Sequence, residues 1–245
     1  MNISNKLKTI PHLKLPISFD VARMVEEVRP ILPNLVGYEL PGSDRSVEER
    51  DEYRDNWRGI GLVDFETDSS KGMLDARSYR GQPPPLTIER TPWGAPIYYH
   101  TDMAEHAPQC MNIIYQLFDD PGRCRITSIR SGGGLHWHSH CQFKSGNYGS
   151  YTQYDIAIVH VPIITNPNVE LGVTKFHHSE HGINPEWQHY AAGECWLLNA
   201  WNEHNVRNEG EDDRIHLMMY GSLSDPKLNA LMHDAVENYD GPYIE

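Results

Sequence analysis

The stretch "SGGGLHWHSHC" (131–141) sets His136, His138 and His140 on alternate positions directly after three glycines. In a strand, alternate side chains point to one face, so the three imidazoles can share a side of a sheet and hold a metal there. His204, in "NAWNEHNVRNEGEDDRIHL", stands where the chain turns after an apolar strand and supplies a distant second arm. Distant arms meeting in space are how non-haem iron is held. Ten positions beyond it, Arg214 opens the apolar segment "DDRIHLMMYG". A buried guanidinium needs an anionic partner. Two candidates are Asp212 and Asp213; the third is the distal carboxylate of a bound dicarboxylate, gripped by two parallel hydrogen bonds.

The remaining histidines sort by context. His12, His100, His106 and His233 lie in segments with no partner pattern and read as ordinary surface or satisfied groups. "FHHSEH" (176–181) is denser but sits in a polar connection, a solvated loop or lid before it is a second metal site. Trp137, Trp196 and Trp201 either line a pocket or belong to the core.

Helix signals frame the middle of the chain that must position these groups. "SFDVARMVEEVRPIL" (18–32) opens with a capping serine and carries apolar residues at helical spacing. Residues 40–92 are polar and proline-rich and read as long loops around a short strand near "GIGLVDF". A second helix is expected within 103–118, entered by Pro108 and stopped by "DDPG", and "DPKLNALMHDAVENY" closes the chain as a third. Between them "CRITSIRS", "YDIAIVHVPIIT", "VELGVTKF", "ECWLLNAW" and "RIHLMMYGSL" read as strands separated by Gly, Pro and Asn turns. Short strands without intervening helices indicate an antiparallel sandwich or barrel.

Composition narrows the function classes. The chain has 245 residues, of which 39% are hydrophobic, enough to bury the core of one domain. Its net charge of −13 argues against nucleic acid, whose binding rests on Lys and Arg neutralising phosphates. No apolar stretch approaches membrane-spanning length, and the beginning "MNISNKLKTIPHLKLP" lacks a secretion signal's apolar core, so no membrane partner and a cytoplasmic location are expected. Cys110, Cys124, Cys141 and Cys195 form no C-x-x-C pair and read as free thiols.

The segment from about 110 to 235 resembles the aspartyl/asparaginyl β-hydroxylase group of iron(II)- and 2-oxoglutarate-dependent oxygenases, which includes free-proline hydroxylases. The resemblance rests on "TSIRSGGGLHWHSH", "IVHVPIITNP", "GECWLLNAWNEHNVRN" and "RIHLMMYG", standing in that order. It implies a mainly β chain with a double-stranded β-helix (jelly roll, cupin-like) core at about 120–224. A helical and loop region (1–119) precedes that core and a helix (225–240) follows it, all in one oxygenase domain of residues 1–245. It also implies that His138 and His204 bind iron(II), that Arg214 holds 2-oxoglutarate, and that Thr127 and His160 lie beside that co-substrate. His136 is not a ligand by the family's spacing from the glycines.

Two positions depart from the family pattern. His140 stands where relatives carry an aspartate ligand or a glycine, and either ligates as a third imidazole or leaves a position for water. Ile158 stands where they tend to carry an arginine that meets the substrate. The implied reaction uses O2 to convert 2-oxoglutarate to succinate and carbon dioxide while an unactivated C–H bond of a small substrate is hydroxylated. A free amino acid, a peptide side chain and another small metabolite are all open as that substrate.

Two alternatives compete. A cupin-type dioxygenase without 2-oxoglutarate would bind its metal through His136, His138 and His204, with "HNVRN" as its closing motif and Gln142 in place of the usual glutamate. Arg214 has no purpose in such a site. A non-catalytic jelly-roll module would use the same histidines for a structural metal, for which three imidazoles suit zinc.

Overall fold

The computed structural model describes residues 6–38, 47–73, 88–92, 95–139, 156–175 and 183–244. His140, Cys141, Gln142 and the "FHHSEH" segment lie outside the described residues.

In chain order the elements are β1 (His12–Ser18), α1 (Val21–Val28), β2 (Val36–Gly37), α2 (Val47–Asn56), β3 (Trp57–Asp64), β4 (Tyr99–His100), α3 (Pro108–Leu117), β5 (Cys124–Ile129), β6 (Gly134–His138), β7 (Ile156–Ile164), β8 (Val169–Thr174), β9 (Glu186–Gln188), β10 (Glu194–Leu198), β11 (Glu203–Asn208), β12 (Arg214–Ser222) and α4 (Pro226–Glu237). They form two antiparallel sheets. The larger runs β1-β10-β7-β12-β5-β3-β2, with β4 attached to β3, and the smaller runs β6-β11-β8-β9. This is the jelly-roll arrangement expected from the sequence.

Strand alternation gives the large sheet two different faces. Ile126, Val159, Val161, Leu217 and Met219 point outward into a core shared with Met24 and Val28 of α1, Ile113 and Ile114 of α3, and Leu228 and Met232 of α4. Each such side chain contributes roughly 1.5–3 kcal/mol when fully buried, so the helices clamp this face and stiffen the sheet. The opposite face looks toward the small sheet. There Ile129, Leu171, Val173, Leu198 and Val206 build a second, smaller core with Tyr190 and Trp196.

Three elements differ from the sequence expectation. The first helix begins at Val21, capped by Asp20, which accepts from the Ala22 and Arg23 amides; Ser18 belongs instead to β1. That edge strand exposes Lys14 and Pro16, residues that discourage further pairing. Helix α2 occupies a region read as loop, because "VEERDEYRDN" is polar throughout and offers no apolar stripe for periodicity to reveal. His204 lies within β11 and not at a turn, since the short polar "EHNVRN" hides its pairing with β6 and β8. Cys110, Cys124 and Cys195 are buried free thiols. Among the described residues no helix is long and apolar enough to cross a membrane.

Candidate active site

A narrow cavity of about 50 Å³ lies between the two sheets. His138, His160, His204, Arg214 and His216 line it together with Ile129, Leu135, Ile158, Leu171, Leu198 and Met218. Few polar groups in an apolar wall make each of them electrostatically strong.

His138 and His204 meet through strand pairing. They are direct partners across β6 and β11, and their ring centroids are 4.2 Å apart with planes tilted by 54°. Each ring is oriented by a backbone carbonyl two residues earlier: His138 Nδ1 lies 2.8 Å from His136 O, and His204 Nδ1 lies 3.1 Å from Asn202 O. A carbonyl only accepts, so Nδ1 donates, and in the neutral form of each ring the lone pair sits on Nε2. That tautomer leaves Nε2 able to bind a metal, and the carbonyl bond is the usual orienting contact of a metal-binding histidine. Among the described residues no third His, Cys, Asp or Glu joins the pair to make a metal cluster.

His136 does not share this face. The register passes from His204↔His138 to Val206↔Leu135, so His136 and Trp137 together oppose one residue, Asn205. Such a bulge re-aims the side chains that follow it. It lets Leu135 and His138, three residues apart, both line the cavity. The His136 ring is turned out to within 3.8 Å of Glu52, both half-exposed. The bulge is what separates His136 from His138. It also leaves the three-histidine set of a cupin-type site unformed.

Arg214 is 1% exposed. Neither Asp212 nor Asp213 pairs with it: Asp213 accepts from the Ser131 amide, and the Asp212 carbonyl accepts from Asn208. Its Nη1 lies 2.7 Å from His216 Nδ1, while Nε and Nη2 are buried with no hydrogen-bond partner. Those two nitrogens form the side-on edge of the guanidinium, the edge that takes a carboxylate with two parallel bonds. Burial lowers the Arg214 pKa to about 10, so it remains a cation at neutral pH and lacks only its anion.

His216, two residues along β12 on the same face, was not singled out from sequence. The alternation Arg214, His216, Met218 in an apolar strand was the available signal. It is kept neutral, its pKa held well below the ordinary histidine value by burial and then by the Arg214 charge. With Arg214 donating to Nδ1, the His216 proton sits on Nε2 and donates to Thr127 Oγ1 at 2.9 Å. Thr127 is fully buried behind His216 and is not part of the cavity wall. His160 is in the wall, with both ring nitrogens buried and unpartnered. Burial, then Arg214, holds its pKa well below the ordinary value too. Of the tryptophans, Trp57 lines the cavity. Trp137 packs edge-on against Trp187, Trp196 stacks on Tyr190, and Trp201 packs against the helix-side core.

These residues fit the group that the sequence resemblance implies. Two imidazoles oriented through Nδ1 direct Nε2 for iron(II), and a buried guanidinium edge without a hydrogen-bond partner suits a dicarboxylate. The chain is similar to an oxidoreductase of the 2OG-Fe(II) oxygenase family from Burkholderia pseudomallei, at 12% identity over 90% of this chain and 88% of the other, with a TM-score of 0.47. It is also similar to a prolyl-4-hydroxylase from Pseudomonas putida, at 10% identity over 89% and 95% of the two chains, with a TM-score of 0.42. No curated protein matches it in sequence. The family model for aspartyl/asparaginyl β-hydroxylase matches residues 38–221, three quarters of the chain, and the protein therefore belongs to that family of iron(II)- and 2-oxoglutarate-dependent oxygenases.

Proposed function

We propose that the protein hydroxylates an unactivated C–H bond of an amino acid or amino-acid-like small molecule, with the cavity between the sheets as its active site. In this reading His138 and His204 hold iron(II) through Nε2, and Arg214 grips the distal carboxylate of 2-oxoglutarate through Nε and Nη2. The observation that carries it is the Arg214 guanidinium, buried with its bidentate edge unpartnered in the same cavity as the two oriented histidines. A charge in that position is costly unless an anion arrives.

Bound iron supplies the oxidising chemistry, in which O2 and 2-oxoglutarate give succinate, carbon dioxide and the hydroxylated product. The protein's own groups orient and exclude. Neutral His216 holds Nη1 and thereby directs the free edge of the guanidinium, and Thr127 fixes the His216 tautomer from behind. The Thr127 role is therefore indirect. His160 offers a neutral hydrogen-bonding ring to the co-substrate from the wall. Ile129, Leu135, Leu171, Leu198 and Met218 keep water from the reacting bond.

The test is to incubate purified protein with iron(II), O2 and 2-oxoglutarate and measure succinate by mass. Slow succinate formation is expected even without the substrate, and it should vanish in His204→Ala. Iron-loaded protein that binds no 2-oxoglutarate and forms no succinate would overturn the reading.

A further inference from the structure

A short series of rings connects the wall of the active site to the surface. His160, in the cavity wall, is the direct partner of Trp196 across β7 and β10, so the two share the inner face of the large sheet. Tyr190 touches both. Its ring is stacked on Trp196, with centroids 4.5 Å apart and planes 2° from parallel, and its centroid is 6.2 Å from that of His160. Trp196 in turn lines a surface groove of about 440 Å³, beside Lys14, Trp187 and Tyr239, that shares no residue with the cavity.

Each of the two stacked rings has a base on its acidic hydrogen. Tyr190 is 1% exposed, and its hydroxyl lies 2.8 Å from His12 Nδ1. His12 Nε2 lies 2.9 Å from the Glu186 carbonyl, which only accepts, so Nε2 donates and Nδ1 of the neutral ring accepts from the phenol. Burial lowers the His12 pKa to about 4 and raises that of Tyr190, so at neutral pH the imidazole is free to accept and the phenol keeps its proton. The Trp196 indole Nε1 donates to Glu194 Oε2 at 2.9 Å, and Glu194 also pairs with Lys14. Phenol and indole lose one electron more readily than most side chains, and both become strongly acidic when they do. The need to satisfy buried polar atoms accounts for either bond alone. It does not account for two oxidisable rings, each facing a base, stacked on one another between the cavity wall and the groove.

We propose that Tyr190 and Trp196 form a relay that carries oxidising equivalents from the active site to the surface groove when O2 is activated with no substrate in place. This rests on the oxygenase reading above and adds a protective function to it. In each passage Tyr190 gives one electron to the oxidised metal site and its phenol proton to His12 Nδ1. Trp196 then reduces the Tyr190 radical, His12 returns the proton to the phenol, and the indole proton passes to Glu194. A thiol or enediol reductant in the groove gives Trp196 its electron back, Glu194 returns the indole proton, and the reductant's own proton goes to solvent. Two passages, with two protons from solvent, turn the unspent oxygen atom into water and leave iron(II). The need is local, because Met218 and Trp57 stand in the cavity wall with the two iron histidines, and a thioether beside an idle oxidant is readily oxidised.

The experiment mixes full-length protein, loaded with iron(II) and 2-oxoglutarate, with O2 in the absence of substrate, and reads two signals other than turnover. Rapid-freeze electron paramagnetic resonance on protein carrying ring-deuterated tyrosine identifies the radical, and peptide mass mapping shows which side chains are permanently oxidised. Wild type should give a phenoxyl signal that deuteration narrows, and its permanent oxidation should concentrate on Trp196. Tyr190→Phe keeps the stack and removes only the hydroxyl; it should abolish that signal and move oxidation to Met218, Trp57 and the iron histidines. Trp196→Phe should leave the phenoxyl radical trapped and long-lived, and His12→Gln, which still accepts the hydrogen bond but is a weaker base, should slow its formation. Ascorbate should lengthen the working life of wild type several-fold and that of Tyr190→Phe not at all. A merely structural pair would lower the thermal midpoint of these variants without changing the radical or the oxidation map, and that result would overturn the proposal, as would a phenoxyl signal that survives in Tyr190→Phe. Absence of succinate in wild type would sink the oxygenase reading instead. The relay is then charged without iron, by flash oxidation of a ruthenium polypyridyl label on Asp240→Cys in a Cys141→Ser background. A phenoxyl radical that is slower to form in D2O and lost in Tyr190→Phe supports the Tyr190–Trp196 pair, and its absence rejects it.

Discussion

Replacing Arg214 with methionine separates a binding role from a structural one, because the two predict opposite outcomes. Burial lowers the guanidinium from 12.5 to about 10, which at 1.36 kcal/mol per pKa unit amounts to about 3 kcal/mol for holding it charged without an anion. Arg214→Met removes that penalty and also removes the bond to His216 Nδ1, a charged hydrogen bond contributing roughly 1.5–3 kcal/mol. The two nearly cancel. The ligand-free variant should therefore unfold within about 2 kcal/mol of wild type, or within several degrees for a chain of this size. Binding changes far more, since deleting one partner of a buried, hydrogen-bonded charge pair costs about 2–5 kcal/mol, or about thirty- to several-thousand-fold in affinity. Calorimetric titration of 2-oxoglutarate into iron(II)-loaded protein under anaerobic conditions reads that loss, with iron content measured alongside. Arg214→Lys should rescue little, because an ammonium lacks the two-nitrogen edge. Binding within threefold of wild type in Arg214→Met, with iron retained, would refute the assignment. So would a collapse of stability, which would make the guanidinium a structural cation.

Two further outcomes follow from the same geometry. His138→Ala and His204→Ala should each weaken iron binding by more than about a hundredfold, beyond the 10–100-fold typical of outer-shell changes, whereas His136→Ala should retain its iron because that ring faces Glu52; iron content of His140→Ala, measured in the same series, reports whether that residue ligates. Stability should also fall in mild acid. Burial holds His12 at about 4 and keeps His160 and His216 well below their ordinary value. All three stay neutral in the fold, while the unfolded chain takes up their protons below about pH 6.5. Stability is thus fully present above that pH and is lost as pH falls. Three such groups amount to roughly 4 kcal/mol between pH 7 and 5.5, a drop in thermal midpoint of roughly 8–16 °C. A midpoint unchanged over that range would contradict their neutral burial.

Much of this site is written in residue order. His138, His204 and Arg214 are recognisable from their types and spacing, and the strands β5, β7, β8, β10 and β12 from apolar runs bounded by turn residues, because burial on both faces leaves a continuous local signature. Polar elements leave none. Helix α2 and strand β11 are held by tertiary contacts, so "VEERDEYRDN" and "EHNVRN" read as loops until their partners are present. The chain order also cannot reveal which groups lack a partner. Whether Arg214 meets Asp213 or faces the cavity depends on which strands the sheet brings side by side. The bulge in β6 belongs to the same class: one extra residue opposite Asn205 turns His136 outward and His138 inward, although their identical residue type and strict alternation place them on one face. Periodicity is a property of a single strand, and register is a property of two. The sequence by itself therefore determined the chemistry available to this protein, and only the pairing of strands decided which of its imidazoles line the cavity beside the Arg214 guanidinium.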